Sequence, residues 1–153
     1  MIVFLLIKWI HVLSAITAVG ANITYGIWIS RASREPAALP FVLRTIKVID
    51  DRVANPLYVL LLLTGLTMAF IIPIPLTTPW LMTALILYAI ATILGMVVFV
   101  PVFRRQVQLL ESEGIESPKY KATAKQSTLL GLVVGAEVIV IIFLMVVKPA
   151  LWG

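Results

Sequence analysis

The sequence has no cysteine and a single histidine, His11. It therefore holds no disulfide framework and no thiolate metal site, and one chain cannot assemble a multi-histidine centre. Charge is scarce as well: Asp, Glu, Lys and Arg make up 12% of the residues, where an ordinary soluble domain carries about 25%. What is present is apolar. Hydrophobic residues account for 61% of the chain, and the mean hydropathy is +1.09. A soluble core of this size cannot hide so much apolar surface, so a soluble enzyme is excluded and the solvent is lipid.

A helix crossing the hydrocarbon needs ~20 mainly apolar residues. Four stretches meet or approach this, at about 2–30, 56–73, 79–103 and 127–148. Each is too long and continuous for a membrane strand of ~9 to 11 alternating residues. The expected fold is all-α, a polytopic four-transmembrane-helix bundle forming one membrane domain, with no sequence repeat and no lipidation motif. No cationic region precedes the first stretch and its apolar character runs on through Ile29, which predicts a retained span rather than a cleaved signal.

Basic residues set the expected orientation. Arg31, Arg34, Arg44, Lys47 and Arg52 lie between the first two spans, and Arg104, Arg105, Lys119, Lys121 and Lys125 between the last two. The connector 74–78 has none. The positive-inside rule then predicts N-out and C-out topology with two basic cytoplasmic loops, in a plasma (inner) membrane. The net charge of +5 is topological, and nucleic acid is not an expected partner. Lys8 with Trp9, Trp80, and Lys148 with Trp152 fall where outer-leaflet anchors belong.

In the first loop, Val42, Ile46, Ile49 and Val53 recur at helical spacing with Arg44, Lys47 and Asp51 opposite, an amphipathic segment over about 40–54. It is expected on the inner leaflet; the alternatives are an extension of the second span or a groove for a partner helix. Lys47 and Asp51 stand at pairing distance on a helix, and Asp50 and Arg52 are read as solvated charges. In the second loop Gly114 should end a helix, and Ser117 with Pro118 should cap and start the next.

On the first helix His11, Ser14, Ala15, Ala18, Asn22 and Tyr25 fall within a stripe of roughly 80° that should face protein. Tyr58, Gly65 and Ala69 repeat the theme on the second span, and Ala84, Tyr88, Ala91 and Gly95 on the third. Gly131 and Gly135 form a GxxxG suited to intrachain packing or to dimerisation. Glu137 is the outlier, about 16 Å from Lys148 and so near the middle of the fourth span. Depth arithmetic from the outer anchors brings Tyr88, Thr64, Ser14 and Asn22 to its level, while His11 lies only ~5 Å below Lys8. Two readings of this layer stay open. Glu137 is a protonated acid hydrogen-bonded to Tyr88, Thr64 or Ser14, or it is a proton- or cation-binding group. For His11 the alternatives are a packed interfacial side chain and a metal or haem ligand.

Lys8-Trp9-Ile10-His11-Val12-Leu13-Ser14, Asp51-Arg52-Val53 with Pro56, Thr64-Gly65-Leu66, Pro79-Trp80 with Leu87-Tyr88, Pro101 before Arg104-Arg105, and Met145-Val146-Val147-Lys148-Pro149 occur in that order. Together they resemble the predicted integral membrane family known as domain of unknown function 2269, over nearly the whole chain. The resemblance implies a four-helix bundle and supplies no reaction. The first helix alone is also similar to copper-resistance D membrane domains and to small haem-associated membrane oxidases, which would imply copper or haem at His11. This chain departs from them by lacking a second His, and its five methionines are scattered.

The leading expectation is a small, oligomeric, non-enzymatic structural or accessory bundle, partnered by the bilayer and by a second copy or another membrane chain. One rival is a proton- or ion-coupled carrier using Glu137, with Tyr88, Thr64, Ser14 and Asn22 along its path. Another is a haem or copper protein using His11 across a dimer.

Overall fold

The computed structural model describes residues 1–152. They form six α-helices: α1 (Ile2–Ala32), α2 (Leu39–Ile49), α3 (Asn55–Ile71), α4 (Pro79–Ile93), α5 (Val100–Glu113) and α6 (Pro118–Val147). Two π-helical turns, Asp50–Ala54 and Leu94–Phe99, join α2 to α3 and α4 to α5 without a break. The result is four helices long and apolar enough to cross a membrane: Ile2–Ala32, Leu39–Ile71, Pro79–Glu113 and Pro118–Val147.

Each π turn sits just before a proline, Pro56 in one case and Pro101 in the other. A proline ring inside a helix collides with the carbonyl four residues earlier, here Arg52 or Val97, and offers no N–H to it. Widening the turn relieves that collision. The Asn55 N–H bonds the Asp50 carbonyl, and the Val100 N–H bonds the Gly95 carbonyl, five residues back in each case. The amphipathic segment at 40–54 runs without a break into the second span, within the single helical path Leu39–Ile71.

The chain folds as two compact units. The first comprises Met1–Arg34 and Phe41–Leu76, in which α1 packs along α3 and against the π turn at Asp50–Ala54. Its contact stripe is the expected one: Ser14, Ala18, Thr64 and Ala69 are buried, and His11, Asn22, Tyr25 and Tyr58 are half-buried. Small residues let the backbones approach. The second unit comprises Glu35–Pro40 and the chain from Thr77 onward, in which α6 packs along α4, the second π turn and α5. Ala84 and Leu81 on α4, Phe103, Gln106 and Leu110 on α5, and Tyr120, Thr123, Ser127 and Leu144 on α6 fill it, with Phe99 and Phe103 stacked 5.6 Å apart.

The link between α5 and α6 follows local chemistry. Gly114 turns out of α5 at φ 81°, a conformation costly for any residue with a Cβ. Ser117 caps α6 by accepting the Tyr120 N–H at 3.4 Å, and Pro118 opens the first turn. Glu113 accepts from the Ser117 hydroxyl (2.6 Å) and from Lys119 (3.0 Å). Outside the packed stripes the long helices carry exposed Ile, Leu, Val, Phe and Trp side chains, the surface that lipid covers.

Candidate functional site

Two polar ties cross the interface of the first helix pair. His11 Nδ1 lies 2.9 Å from the Thr64 hydroxyl oxygen. That hydroxyl has one proton, and it is directed at the Leu60 carbonyl at 2.6 Å. Hydrogen-bond accounting therefore makes His11 Nδ1 the donor and leaves Nε2 with its lone pair. Gly65 makes room for the ring: a Cβ there would stand 3.2 Å from His11 Cε1. The second tie is nearer the basic loop, where Asn22 Nδ2 donates to the Tyr58 hydroxyl at 2.7 Å.

The pairing of His11 with Thr64 corrects the depth arithmetic. Thr64 was expected in the layer of Glu137 and His11 well outside it; the structure sets His11 level with Thr64 instead. The error came from taking Lys8 as the outer boundary. The helix begins at Ile2, so His11 is about 14 Å along it, and Lys8 is an exposed side chain more than a turn inside the end. Ser14, also assigned to that layer, spends its hydroxyl on the Ile10 carbonyl at 2.8 Å, and Asn22 is engaged with Tyr58.

In the second helix pair two contacts fix the register. Lys148 lies over the Trp80 ring, 5.2 Å from its centre, and a Cβ on Gly131 would stand 3.7 Å from Phe99. Stepping between them places Glu137 level with Thr92 and Ile93, with Tyr88 about one turn, or ~6 Å, nearer Trp80. The Thr92 hydroxyl is directed at the Tyr88 carbonyl (2.8 Å). Glu137 is half-buried and its Oε2 is buried, without a hydrogen-bond partner among the described residues. Leaving a buried acceptor unsatisfied costs roughly 1–3 kcal/mol, and more for an ionised group. The two glycines of the GxxxG differ: Gly131 faces Phe99 of its own chain, and nothing stands near Gly135.

A further cluster gathers where α1 meets the first π turn. Asp50, expected as a solvated charge, is half-buried and accepts from Asn55 Nδ2 at 3.4 Å. Tyr25 lies within electrostatic reach of both Asp50 and Tyr58. The sequence signal for this cluster was the α1 stripe ending in Asn22 and Tyr25; its partner was hidden because no periodicity forecasts a π turn. Lys47 pairs with Asp51 on the exposed side, as the spacing indicated. Among the described residues no group of three or more His, Asp or Glu side chains is placed to hold a metal ion.

Among curated proteins and solved structures nothing matches the chain significantly. The family described as predicted integral membrane protein (DUF2269) matches residues 5–149. With that match over nearly all of its length, and with four helices of membrane-crossing length and apolarity, the chain belongs to this family of integral membrane proteins.

Proposed function

We propose that the protein is a non-enzymatic accessory component of the plasma (inner) membrane, with its two basic loops in the cytoplasm, whose second helix pair is completed by another membrane chain or by a second copy. The observation that carries this is Glu137, a mid-span carboxyl with a buried oxygen and no partner. In hydrocarbon such a group is costly unless a donor reaches it, and polar side chains join membrane helices for this reason. Native mass spectrometry of the full chain in mild detergent tests the proposal. The wild type should appear as an oligomer or with a stoichiometric partner, and Glu137→Leu should shift it to the monomer. A wild type that is monomeric and unaccompanied would overturn it.

The same carboxyl supports the carrier as a rival, in which it binds a proton or cation in transit. Flux through reconstituted vesicles separates the two, since a carrier loses flux in Glu137→Gln and an accessory protein has none to lose. One observation favours a second site: the hydrogen bond to Thr64 fixes the His11 ring and leaves Nε2 as a ligand nitrogen. One imidazole is a single axial ligand, so haem or copper would need a second from another copy. A Soret band in the purified protein that vanishes in His11→Ala would support that reading.

A further inference from the structure

From Pro79 onward, every charged residue except Glu137 and Lys148 lies between Phe99 and Gly131, on α5, on the link or on the start of α6. The two contacts that set the register also set the level of these charges. Lys148 lies over the Trp80 ring at one end of the pair, and Gly131 stands against Phe99 farther along. At a rise of about 1.5 Å per residue, Arg105 is ~9 Å past Phe99 and Lys125 ~9 Å past Gly131, so the two arrive level, with Arg104 adjacent. Measured from the other contact, Arg104 is ~36 Å from Trp80 and Lys125 ~35 Å from Lys148. The two starting points agree. With Trp80 and Lys148 at one boundary of a hydrocarbon layer ~30 Å thick, all three cations fall in the opposite headgroup layer.

At that level nothing neutralises them. Phe103, Gln106 and Leu110 on α5, and Tyr120, Thr123 and Ser127 on α6, are buried in the pair. Arg104, Arg105 and Lys125 lie on the outward sides of the same helices, exposed, and form no ion pair with a described residue. The acids stand farther out: Glu111, Glu113 and Glu116 begin ~9 Å beyond Arg105. There Lys119 pairs with Glu113 at 3.0 Å and Lys121 with Glu116 at 2.6 Å. Cations that served orientation alone could be interleaved with acids, which count for little in the positive-inside rule. The first pair has that mixture, with Asp50 and Asp51 beside Lys47 and Arg52. In the second, the tip neutralises itself and the headgroup level is purely cationic.

We propose that Arg104, Arg105 and Lys125 form a collar that binds anionic phospholipid headgroups in preference to zwitterionic ones. A guanidinium matches phosphate oxygens with paired N–H groups, and the lysine adds a point charge. Lys125, Leu129 and Leu132 share one outward stripe of α6, and both leucines are exposed, so a headgroup held at the collar leaves its chains on apolar surface. The collar does not involve Glu137, and its test is independent of the accessory role.

The test is native mass spectrometry of the full chain from detergent micelles holding equal amounts of phosphatidylglycerol and phosphatidylcholine with the same acyl chains. Preferential retention of phosphatidylglycerol is expected. Joint replacement Arg104→Gln, Arg105→Gln and Lys125→Gln should reduce that preference at least about tenfold. Lys119→Gln with Lys121→Gln, which removes paired charges beyond the headgroups, should change it less than about twofold. Arg104→Lys with Arg105→Lys keeps the charge and should keep most of the preference, which guards against a variant that fails to fold. No preference in the wild type, or one that survives the triple replacement, would overturn the proposal. Equal loss in the Lys119 and Lys121 variant would overturn it too, because overall charge and not the collar would then be responsible. Displacement of the lipid by inorganic phosphate, but not by chloride at the same ionic strength, would mark a site for free anions and overturn the assignment to lipid.

Discussion

The two helix pairs are built from the same parts and end in different states. Each has one uninterrupted long helix, α1 or α6, packed against a longer helical path whose π turn precedes a proline. The order is reversed along the chain: the interrupted helix comes second in the first pair and first in the second. In the first pair polar side chains tie the helices together, His11 to Thr64 and Asn22 to Tyr58. In the second, Leu81, Ala84, Phe103 and Leu110 pack beside buried Gln106, Thr123 and Ser127, and two buried acceptors, Gln106 Oε1 and Glu137 Oε2, have no partner among the described residues. The difference teaches that a polar residue within a span is not by itself a mark of one role. Where the facing helix supplies a donor it fixes register, and where none does the group is left for something outside the pair.

The largest expected effects come from crowding either interface. Ala84 is 1% exposed in the second pair, so Ala84→Leu should cost about 1–3 kcal/mol. Gly65→Leu should cost a similar amount in the first pair, and there His11→Ala in the same chain should return much of it, because the ring is what the new side chain meets. Thermal unfolding in detergent measures both, and a Gly65→Leu penalty indifferent to His11 would dissolve the proposed cradle.

Next come the polar groups, where the pairs should respond with opposite sign. Thr64→Val removes the acceptor for His11 Nδ1–H and should destabilise by about 1 kcal/mol. Glu137→Leu removes a buried acceptor that has no partner, so the monomeric chain should be unchanged or stabilised. Equal losses from the two changes, in monomeric preparations, would erase the contrast between the pairs.

The smallest effects belong to the prolines. Pro56→Ala and Pro101→Ala restore an N–H and remove the ring, and each should alter stability by less than about 1 kcal/mol while tightening its π turn. Amide hydrogen exchange at Asn55 and Val100 reads this directly, since both donate across five residues. Exchange left unaltered in both variants would mean that the prolines do not cause the turns.

Much of the fold was legible because its causes are local. The four spans follow from runs of apolar residues set against bilayer thickness. Gly114, Ser117 and Pro118 specify the end of α5 and the start of α6 through backbone conformation and a single cap. Lys47 with Asp51, and the inward stripes on α1, α3 and α4, follow from 3.6 residues per turn. The candidate sites were less legible. His11 and Thr64 were separated because a charged residue, Lys8, stood in for the end of a helix that starts six residues earlier. Asp50 passed for a surface charge because nothing in the hydrophobic period marks a π turn.

The sequence by itself determined that the chain lives in lipid, how many times it forms a helix of crossing length, and which face of each helix is crowded with small and polar residues. These follow from transfer free energies and helical geometry, which each segment expresses alone. Only the tertiary structure decided that Thr64 serves His11, that Tyr58 serves Asn22, and that Glu137 Oε2 is buried without a partner among the described residues. A hydrogen bond between helices depends on how far one slides along the other, and a shift of a single turn, ~5 Å, exchanges one partner for the next.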